Sequence, residues 1–548
     1  MANSLVSEIV KRGEELPDKP AFVFLGPNWS RTVLTFGDVI SLAQKFAAVL
    51  RQRGIGDGDV VCNTLSNSAE RLITQLGTIM AGAVFLNGQI CLADGSDFLR
   101  SLNDGRVKAV IYNPRDSRGA FGVLKDKVTD TDGKGKVVCA EVPTLEMMIP
   151  CVLESNKGND KSLLEELKAE SKTFCMDRGP ASVVAYMCTS GSTGEFKLLS
   201  FTSQFLVGAF HIMTRGMGMS KDSVYLNDKP FGWFAGFPAL VFCLGATRVT
   251  IEDTVPRDEN YASFVLEAYG REKCMAASVV TSFLYDLIEE AKKSPDVTRN
   301  LLKFLLVVGA PVRKEALYSI GTLAERLIIM YASTETALMS AMIVNSRDDE
   351  YEDFLCGSPV GDTQFRIVNS DMEEVPIGQT GEILVKKSLP CSCYVNNEKA
   401  TKDTYLPGGW VRLGDRGYIN SKGQITVIGR GSHAIMRGDD VVYPDQLEYP
   451  ILKCPGLAEI LIAGVPDPSK LEEVCALLVR QPGEGKEVDE AYVRRFCQET
   501  LFINPDNPEF NPIPKYFCFV KAIPKLKNGK ADRIAAKQLA AQLVSKIV

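Results

Sequence analysis

The segment Cys188–Lys197, written CTSGSTGEFK, combines hydroxylated side chains, two glycines and a single lysine. Glycine lets backbone N–H groups turn towards one point, and hydroxyl groups add further donors, so such a loop can cradle phosphate oxygens. Lys197 would add a compact positive charge. The chain contains neither a G-x-x-x-x-G-K-[ST] nor a G-x-G-x-x-G spacing. Taken alone, the segment predicts either an unusual phosphate loop or an exposed turn between two strands.

The segments on either side of this loop alternate between helical and strand patterns. Residues 35–90 show a strand, an amphipathic helix, a strand, a capped helix and another strand. Residues 260–335 repeat this rhythm and include RKEALYSIGTLA, which predicts a helix. Alternation of this kind is typical of parallel sheets covered by helices, so we expect an α/β fold.

The pattern changes in the last third of the chain. Residues 355–430 contain short strands separated by glycine turns, which predicts a small β-rich region. A compact α+β segment follows. We therefore predict a large N-terminal domain of helix-covered parallel sheets with a small β region, over 1–430. A small, mobile α+β domain is predicted over 431–548.

Composition limits the classes of function. The net charge of -6 over 548 residues argues against nucleic-acid binding, and no apolar run approaches a membrane span. Fifteen cysteines without paired spacing and only two histidines argue against a structural zinc site. There is no secretory pattern and no Ser-Lys-Leu terminus, so we expect a cytoplasmic protein with reduced thiols. The oligomeric state stays open.

Six segments in order resemble the motifs of the adenylate-forming superfamily, which includes acyl-CoA synthetases, amino-acid adenylation domains and beetle luciferases. Besides CTSGSTGEFK they are LTFGDV with GDGDVV, YASTET, GWVRLGD, the GR of VIGRGSHAIMRGDD, and IPKLKNGKADR. The resemblance spans about 15–540 and is closest in type to a free-standing acyl-CoA synthetase. It implies two half-reactions, in which a carboxylate and ATP form an acyl adenylate and pyrophosphate, and a thiol then takes the acyl group.

The resemblance also implies roles for individual residues. The loop residues that would hold the β- and γ-phosphates of ATP, with Lys197 adding charge, are Thr189, Ser190, Gly191, Ser192, Thr193 and Gly194. The YASTE segment would contact the nucleotide through Ala332, Ser333 and Thr334, with Thr334 at the α-phosphate. Glu335 would ligate Mg²⁺.

Three further positions complete the implied nucleotide site. Asp415 would accept the ribose hydroxyls and Arg430 would reach the same region. Lys530 would bridge the carboxylate and the α-phosphate during adenylation. Because Lys530 lies beyond the domain boundary, the resemblance implies that the small domain swings about a hinge at Ser432 between the two steps.

The residues implied for the acid pocket are apolar or small, namely Trp233, Phe234, Phe237, Gly309 and Ala310. The segment PFGWFAGF has no acidic residue to bind an ammonium group, which argues against an amino-acid substrate. An apolar lining suits a fatty or arylalkanoic acid. Whether Trp233 caps the pocket or packs in the core stays open.

Five positions depart from the family pattern. Phe196, Ala332 and Leu413 replace a proline, a glycine and a threonine around the nucleotide and acyl site. Met436 and Asp439 replace the lysine and glycine usual in CoA ligases, and Arg437 is an alternative cation there. The leading hypothesis is a carboxylic acid–CoA ligase that uses ATP, Mg²⁺ and CoA. The alternatives are an adenylating enzyme with a non-CoA acceptor, and a nucleotide- or acyl-binding homologue with impaired turnover.

Overall fold

A computed structural model describes residues 3–547 except 89, 91–94, 117–118, 155–159, 191–195, 215–217, 294–301, 310–311, 389–392, 438–439, 468–470, 482–487, 502–512 and 527–530. The chain forms two compact units. The larger contains the described residues up to Phe365 together with Val385–Arg412, and the smaller contains Arg366–Leu384 and Leu413–Val548. The domain boundary predicted at Arg430 does not coincide with this division and stays a prediction.

Within the described residues the α-helices are α1 (Leu5–Glu15), α2 (Phe36–Gln52), α3 (Ala69–Met80), α4 (Ser96–Asp104), α5 (Ala120–Leu124), α6 (Leu163–Ala169), α7 (Ser203–Thr214), α8 (Ala239–Leu244), α9 (Tyr261–Arg271), α10 (Thr281–Lys293), α11 (Glu398–Thr404), α12 (Pro444–Leu452), α13 (Glu490–Thr500) and α14 (Arg533–Val544). The helix α2 begins at a capping residue that the sequence contains. The Thr35 hydroxyl accepts from the Asp38 N–H and the Asp38 carboxylate accepts from the Thr35 N–H, a capping box that starts α2.

The strands are β1 (Pro20–Leu25), β2 (Arg31–Thr35), β3 (Val60–Asn63), β4 (Val84–Asn87), β5 (Val107–Tyr112), β6 (Val128–Asp130), β7 (Val137–Cys139), β8 (Met147–Pro150), β9 (Val183–Ser190), β10 (Phe196–Thr202), β11 (Val224–Leu226), β12 (Thr247–Ile251), β13 (Ala276–Val280), β14 (Leu302–Val308), β15 (Ala324–Ser333), β16 (Ala337–Val344), β17 (Ser358–Pro359), β18 (Gln364–Val368), β19 (Gly381–Lys386), β20 (Tyr405–Leu406), β21 (Trp410–Ile419), β22 (Ile425–Arg430), β23 (Ile435–Arg437), β24 (Asp440–Val442), β25 (Leu457–Asp467), β26 (Leu471–Arg480) and β27 (Tyr516–Phe519).

Two large sheets belong to the larger unit. One has the order β17-β16-β15-β14-β13-β11-β12-β1-β2, and the strands from β15 to β1 are mutually parallel. The other has the order β10-β9-β4-β3-β5-β8 and is parallel from β9 to β8. Helices pack against both sheets through apolar side chains that are almost fully buried. The predicted α/β class with helix-covered parallel sheets is confirmed.

Strands β6 and β7 form a separate two-stranded sheet, and the other two sheets lie in the last third of the chain. Strands β18, β19, β21 and β20 form one small sheet, with β22 paired to β21, as the predicted β-rich region requires. In the smaller unit, β24, β23, β26 and β25 form another sheet and β27 pairs with β26. Helices α12, α13 and α14 cover it with two apolar clusters. This agrees with the predicted C-terminal α+β segment.

One predicted helix is wrong. The segment RKEALYSIGTLA forms only a short 3₁₀ helix over Lys314–Ser319, and then turns into β15. Gly321 has a φ of 73°, a left-handed conformation that ends a helix, and the Arg347 guanidinium donates to the carbonyls of Tyr318 and Ile320. The carbonyls that would continue the helix are therefore bound by a side chain instead.

Candidate functional site

The glycine-rich segment lies at the end of a strand pair. In the β9–β10 register, Ser190 lies opposite Phe196 and Thr189 opposite Lys197. The intervening Gly191–Glu195, which includes Ser192, Thr193 and Gly194, lies outside the described residues. The fold thus closes the two ends of the segment into a hairpin, which is the arrangement that both hypotheses for this loop require.

Glu335 lies at the tip of a second hairpin, between β15 and β16. The Ser333 hydroxyl accepts from the Thr336 N–H at 3.2 Å and lies 2.9 Å from the Thr336 hydroxyl, so the turn is closed by its own side chains. Ala332 lies opposite Leu338 where the register shifts. Thr334 and Glu335 are half-buried at the turn.

Tyr394 joins these two hairpins, and the sequence analysis did not identify it. Its backbone pairs with Leu199 on β10, and its hydroxyl donates to Glu335 Oε1 at 2.8 Å. The Lys197 ammonium lies over its ring, 5.3 Å from the centroid. The side chain is 6% exposed, so ring and hydroxyl are held in place by packing. One aromatic residue therefore contacts both the predicted phosphate-loop lysine and the predicted metal ligand.

This cluster fits Mg²⁺ bound together with ATP. Mg²⁺ prefers oxygen ligands and is commonly held by one or two carboxylates, with phosphate oxygens and water completing its octahedron. Among the described residues there is no group of three or more His, Cys, Asp or Glu side chains that could hold a metal alone. One half-buried carboxylate beside a lysine and a phosphate-loop hairpin has the donor set that such a shared site needs.

Residues 227–237, here called the Trp233 loop, carry most of the predicted acid pocket. Trp233 and Phe234 are half-buried, and the Phe234 ring stacks on Phe210 of α7 at 5.3 Å between centroids. Phe237, by contrast, is 1% exposed and belongs to the core. Gly309 ends β14 with a φ of 107°, a conformation that favours glycine. Ala310 lies outside the described residues.

Of the two charged residues at the start of this loop, Lys229 is buried and Asp228 is partly buried. The Lys229 ammonium donates to the Ser278 carbonyl at 2.7 Å and to its hydroxyl at 3.2 Å, which ties the loop to β13. Burial lowers the pKa of Lys229 to about 8, although the neighbouring Asp228 carboxylate opposes the shift. Arg257 and Tyr261 donate to Asp228 at 3.1 and 2.8 Å.

An apolar groove of about 370 Å³ lies beside α7 in the same unit. Ile212 and Met213 of α7 form one wall, and Leu338 and Ala341 of β16 form another. Its remaining lining residues are Ile328, Ile343, Ser358, Pro359, Val360 and Gly361. α7 therefore contacts the Trp233 loop through Phe210 and the groove through its last turn.

The predicted ribose residues form a pair within the smaller unit. Asp415 on β21 lies opposite Arg430 on β22, and Arg430 Nε lies 3.0 Å from Asp415 Oδ1. The Asp415 side chain is 7% exposed whereas that of Arg430 is 40% exposed. The guanidinium thus covers a nearly buried carboxylate and fixes the direction in which its oxygens point. The two residues that were both predicted to bind ribose are in direct contact.

The segment predicted for the thiol step is only partly described. Ser432 lies in a short 3₁₀ helix after β22, and its role as a hinge stays a prediction. Asp439 and Lys530 lie outside the described residues. Arg437, considered as a substitute cation for CoA, forms an ion pair with Glu473, whose side chain is 1% exposed. Its charge is therefore already neutralised by a buried carboxylate.

The described residues contain no helix that is both long and apolar enough to cross a membrane.

Comparison with known families gives matches over most of the chain. The AMP-binding enzyme family matches residues 9–395, and the AMP-binding enzyme C-terminal domain matches residues 446–530. The predicted resemblance to adenylate-forming enzymes is confirmed by these matches. Neither match begins or ends at Arg430, so the domain boundary predicted there stays a prediction.

The individual relatives have low sequence identity to this chain, but the matches cover most of each protein. A probable CoA ligase of Humulus lupulus is 25% identical over 99% of this chain and 98% of its own length. A 2-succinylbenzoate–CoA ligase of Bacillus cereus is 28% identical over 65% of this chain and 70% of its own. The o-succinylbenzoate CoA synthetase of Bacillus subtilis, solved with ATP and a magnesium ion, has a TM-score of 0.77 at 20% identity, covering 97% of this chain and 99% of that one. The names of these relatives mention ATP, magnesium and CoA, which are the reactants predicted from the sequence.

Proposed function

Because the chain belongs to the AMP-binding enzyme family, we propose that it is an ATP-dependent carboxylic acid–CoA ligase. It activates an apolar acid as its acyl adenylate with release of pyrophosphate, and then transfers the acyl group to CoA. The observation that carries this proposal is the contact of Tyr394 with both Lys197 and Glu335. A cation and a metal-ligating carboxylate on two hairpins are what a polyphosphate substrate requires.

Adenylation needs the repulsion between a carboxylate and the α-phosphate to be overcome. Lys197 would neutralise charge on the β- and γ-phosphates, and Glu335 would hold the Mg²⁺, which would supply further positive charge there. Thr334, at the same turn, donates to the α-phosphate. Asp415 accepts from the ribose hydroxyls while Arg430 orients it. Lys530 would bind the two reacting groups.

The acid that the site accepts is proposed to be a fatty or arylalkanoic acid. Phe234 and Phe210 form an aromatic stack on one side of α7, and the apolar groove lies along the last turn of the same helix. Leu338, which lines the groove, is three residues beyond Glu335 on the same hairpin. An acid whose carboxylate reaches Thr334 would therefore find apolar surface for its tail.

The second substrate is proposed to be CoA, in line with the relatives named above. A non-CoA acceptor is the second candidate, because Arg437 is paired with Glu473 and Met436 carries no charge. In that case adenylation proceeds without CoA and thioester does not form.

A screen of carboxylic acids for pyrophosphate release, with and without CoA, tests both candidates. The panel should contain acetate, octanoate, palmitate, phenylpropanoate and two amino acids. We expect release with apolar acids, none with amino acids, and an acyl-CoA product when CoA is present. Release without acyl-CoA would favour another acceptor. If no acid releases pyrophosphate although ATP binds in calorimetry, the ligase proposal is wrong and the binding homologue remains.

A further inference from the structure

Arg248, the second residue of β12, has the largest fully buried side chain among the described residues. Its guanidinium points into the Trp233 loop. Nε donates to the Asn227 carbonyl at 3.0 Å, and one terminal nitrogen donates to the Lys229 carbonyl at 2.8 Å. The other terminal nitrogen donates to the Gly236 carbonyl. One side chain thus binds both the beginning and the end of the loop.

The bonds around Arg248 make this closure more complete. The Asn227 side chain donates to the Ala235 carbonyl at 2.9 Å, across the same gap. The Phe231 ring lies under the guanidinium, 4.4 Å from its central carbon. A Cβ at Gly236 would lie 2.0 Å from the Pro230 carbonyl oxygen, so the two ends of the loop approach too closely for any other residue. Trp233 and Phe234 lie between the two ends of the loop that these contacts hold together.

A buried guanidinium is costly to retain unless it serves a purpose. Burial lowers the pKa of Arg248 to about 10, so the side chain is still protonated at neutral pH. In the described part of the chain no carboxylate forms a salt bridge with it, and its partners are carbonyl groups and the Thr250 hydroxyl. An apolar residue would fill the space at lower cost, which points to a geometric role. Five donors in a planar fork can join three carbonyls, whereas an ammonium group cannot span them.

We propose that Arg248 is a positioning residue for the acid substrate: by fastening both ends of the Trp233 loop, it sets where Trp233 and Phe234 meet the acid. This rests on the proposed function, because it takes the loop to border the acid site. Arg248 acts on the acid through the loop and does not touch ATP. Its loss should therefore change recognition of the acid and leave that of the nucleotide nearly unchanged.

The test uses the full-length protein with Arg248→Met and Arg248→Lys. The first readout is the emission of Trp233, one of three tryptophans, obtained as the difference from a Trp233→Phe variant. We expect acrylamide quenching of Trp233 to at least double in Arg248→Met. The second readout is steady-state kinetics, in which KM for the acid should rise at least tenfold while KM for ATP stays within about twofold. In both readouts Arg248→Lys should lie between the unmodified protein and Arg248→Met, since lysine keeps the charge but lacks the planar fork of donors.

Val249→Ala is the matched control. Val249 is adjacent on the same strand and equally buried, but it packs in the cluster on the opposite face of the sheet. We expect it to lower the unfolding temperature without changing Trp233 quenching or KM for the acid. Should Arg248→Met fail to fold, Arg248→Lys and Thr250→Val, which removes one acceptor of the guanidinium, provide the same readouts.

Two outcomes overturn the proposal. One is unchanged Trp233 quenching in the folded Arg248 variants, and the other is an equal rise of KM for acid and ATP. Failure of the proposed function looks different. If no acid releases pyrophosphate with the unmodified protein, the quenching measurement still shows whether Arg248 fixes the loop.

Discussion

The hydroxyl of Tyr394 donates to Glu335 Oε1 at 2.8 Å, and the same ring lies beneath the Lys197 ammonium. The hydroxyl and the ring have separate partners. The hydroxyl orients a carboxylate that would bind Mg²⁺, while the ring face attracts a cation that would bind phosphate. Substitutions at this one position can therefore separate the two contributions.

We predict that Tyr394→Phe weakens the use of MgATP about tenfold in kcat/KM, because a hydrogen bond to a charged group contributes about 1.5–3 kcal/mol. KM for the acid should not change. Tyr394→Leu also removes the ring beneath Lys197 and should lower kcat/KM further. Calorimetry of ATP binding over a series of Mg²⁺ concentrations gives an independent measurement. Tyr405→Phe is the control, since Tyr405 lies next to Tyr394 at 6.3 Å between ring centroids. Equal effects of the two phenylalanine variants would contradict the assignment.

We predict that Lys530→Ala slows formation of acyl adenylate by two or more orders of magnitude, on the scale of about 3–4 kcal/mol for one electrostatic contact in a transition state. Transfer of the acyl group from supplied acyl adenylate to CoA should be retained, because the lysine is needed only for the first step. A rapid-quench experiment measures the two steps separately. Lys527→Ala, in the same segment, should leave both unchanged. Equal loss of both steps in Lys530→Ala would refute the predicted swing of the small domain about Ser432 between the two steps.

We predict that Ala341→Phe shortens the range of acids that the protein accepts. A phenyl group at this position would fill part of the groove, and each methylene left in water costs about 0.8 kcal/mol. The kcat/KM for palmitate should fall at least tenfold, whereas that for a short acid should stay within about twofold. Ala341→Ser, which preserves the volume, should not discriminate by length. A uniform loss for all acids would show that the groove does not hold the tail.

We predict a pH-dependent stability difference between the unmodified protein and Lys229→Met. The folded-state pKa of Lys229 is lowered to about 8, below its unfolded value, so the cost of burying the ammonium is complete below pH 8 and is lost as the pH rises from 8 towards 10.5. Relative to the variant, the unmodified protein should gain about 2 kcal/mol between pH 7 and 9.5. Denaturant unfolding of both proteins at each pH gives the difference.

The exposed Lys221 provides the control for that measurement. The difference in free energy of unfolding between Lys221→Met and the unmodified protein should not change with pH. A stability difference that runs the other way would mean that attraction to Asp228 outweighs burial of the Lys229 ammonium.

We predict that Arg437 stabilises the smaller unit and takes no part in binding CoA. Arg437→Met leaves the buried Glu473 carboxylate without its guanidinium, which typically costs about 3–5 kcal/mol. The double variant Arg437→Met with Glu473→Met should recover most of this loss. Thermal unfolding measures stability, and single-turnover acyl transfer measures the thiol step. If Arg437→Met has unchanged stability but transfers acyl groups slowly, Arg437 takes part in binding CoA and this prediction is wrong.

The strand and helix alternation was predictable because each element carries its own hydrophobic period, and α2, β3, α3 and β4 follow it directly. Residues 314–319 form a 3₁₀ helix because Arg347, far along the chain, binds the carbonyls of its C-terminal end. No local pattern contains such a contact.

The candidate site shows the same limit. Glu335, Lys197, Asp415 and Arg430 lie in recognisable segments, and the sequence analysis finds them. Tyr394 and Arg248 donate hydrogen bonds to a carboxylate and to carbonyl groups of residues distant in sequence, so their residue types predict nothing until the fold brings these partners together.

The hydrogen bonds that close the Trp233 loop end on backbone carbonyls at Asn227, Lys229, Ala235 and Gly236. None of them depends on which side chains stand at positions 233 and 234. The scaffold and the lining of the loop are therefore chemically independent. Evolution, or a combinatorial library, can therefore replace the two half-buried rings of Trp233 and Phe234 while these hydrogen bonds keep the backbone of the loop in place.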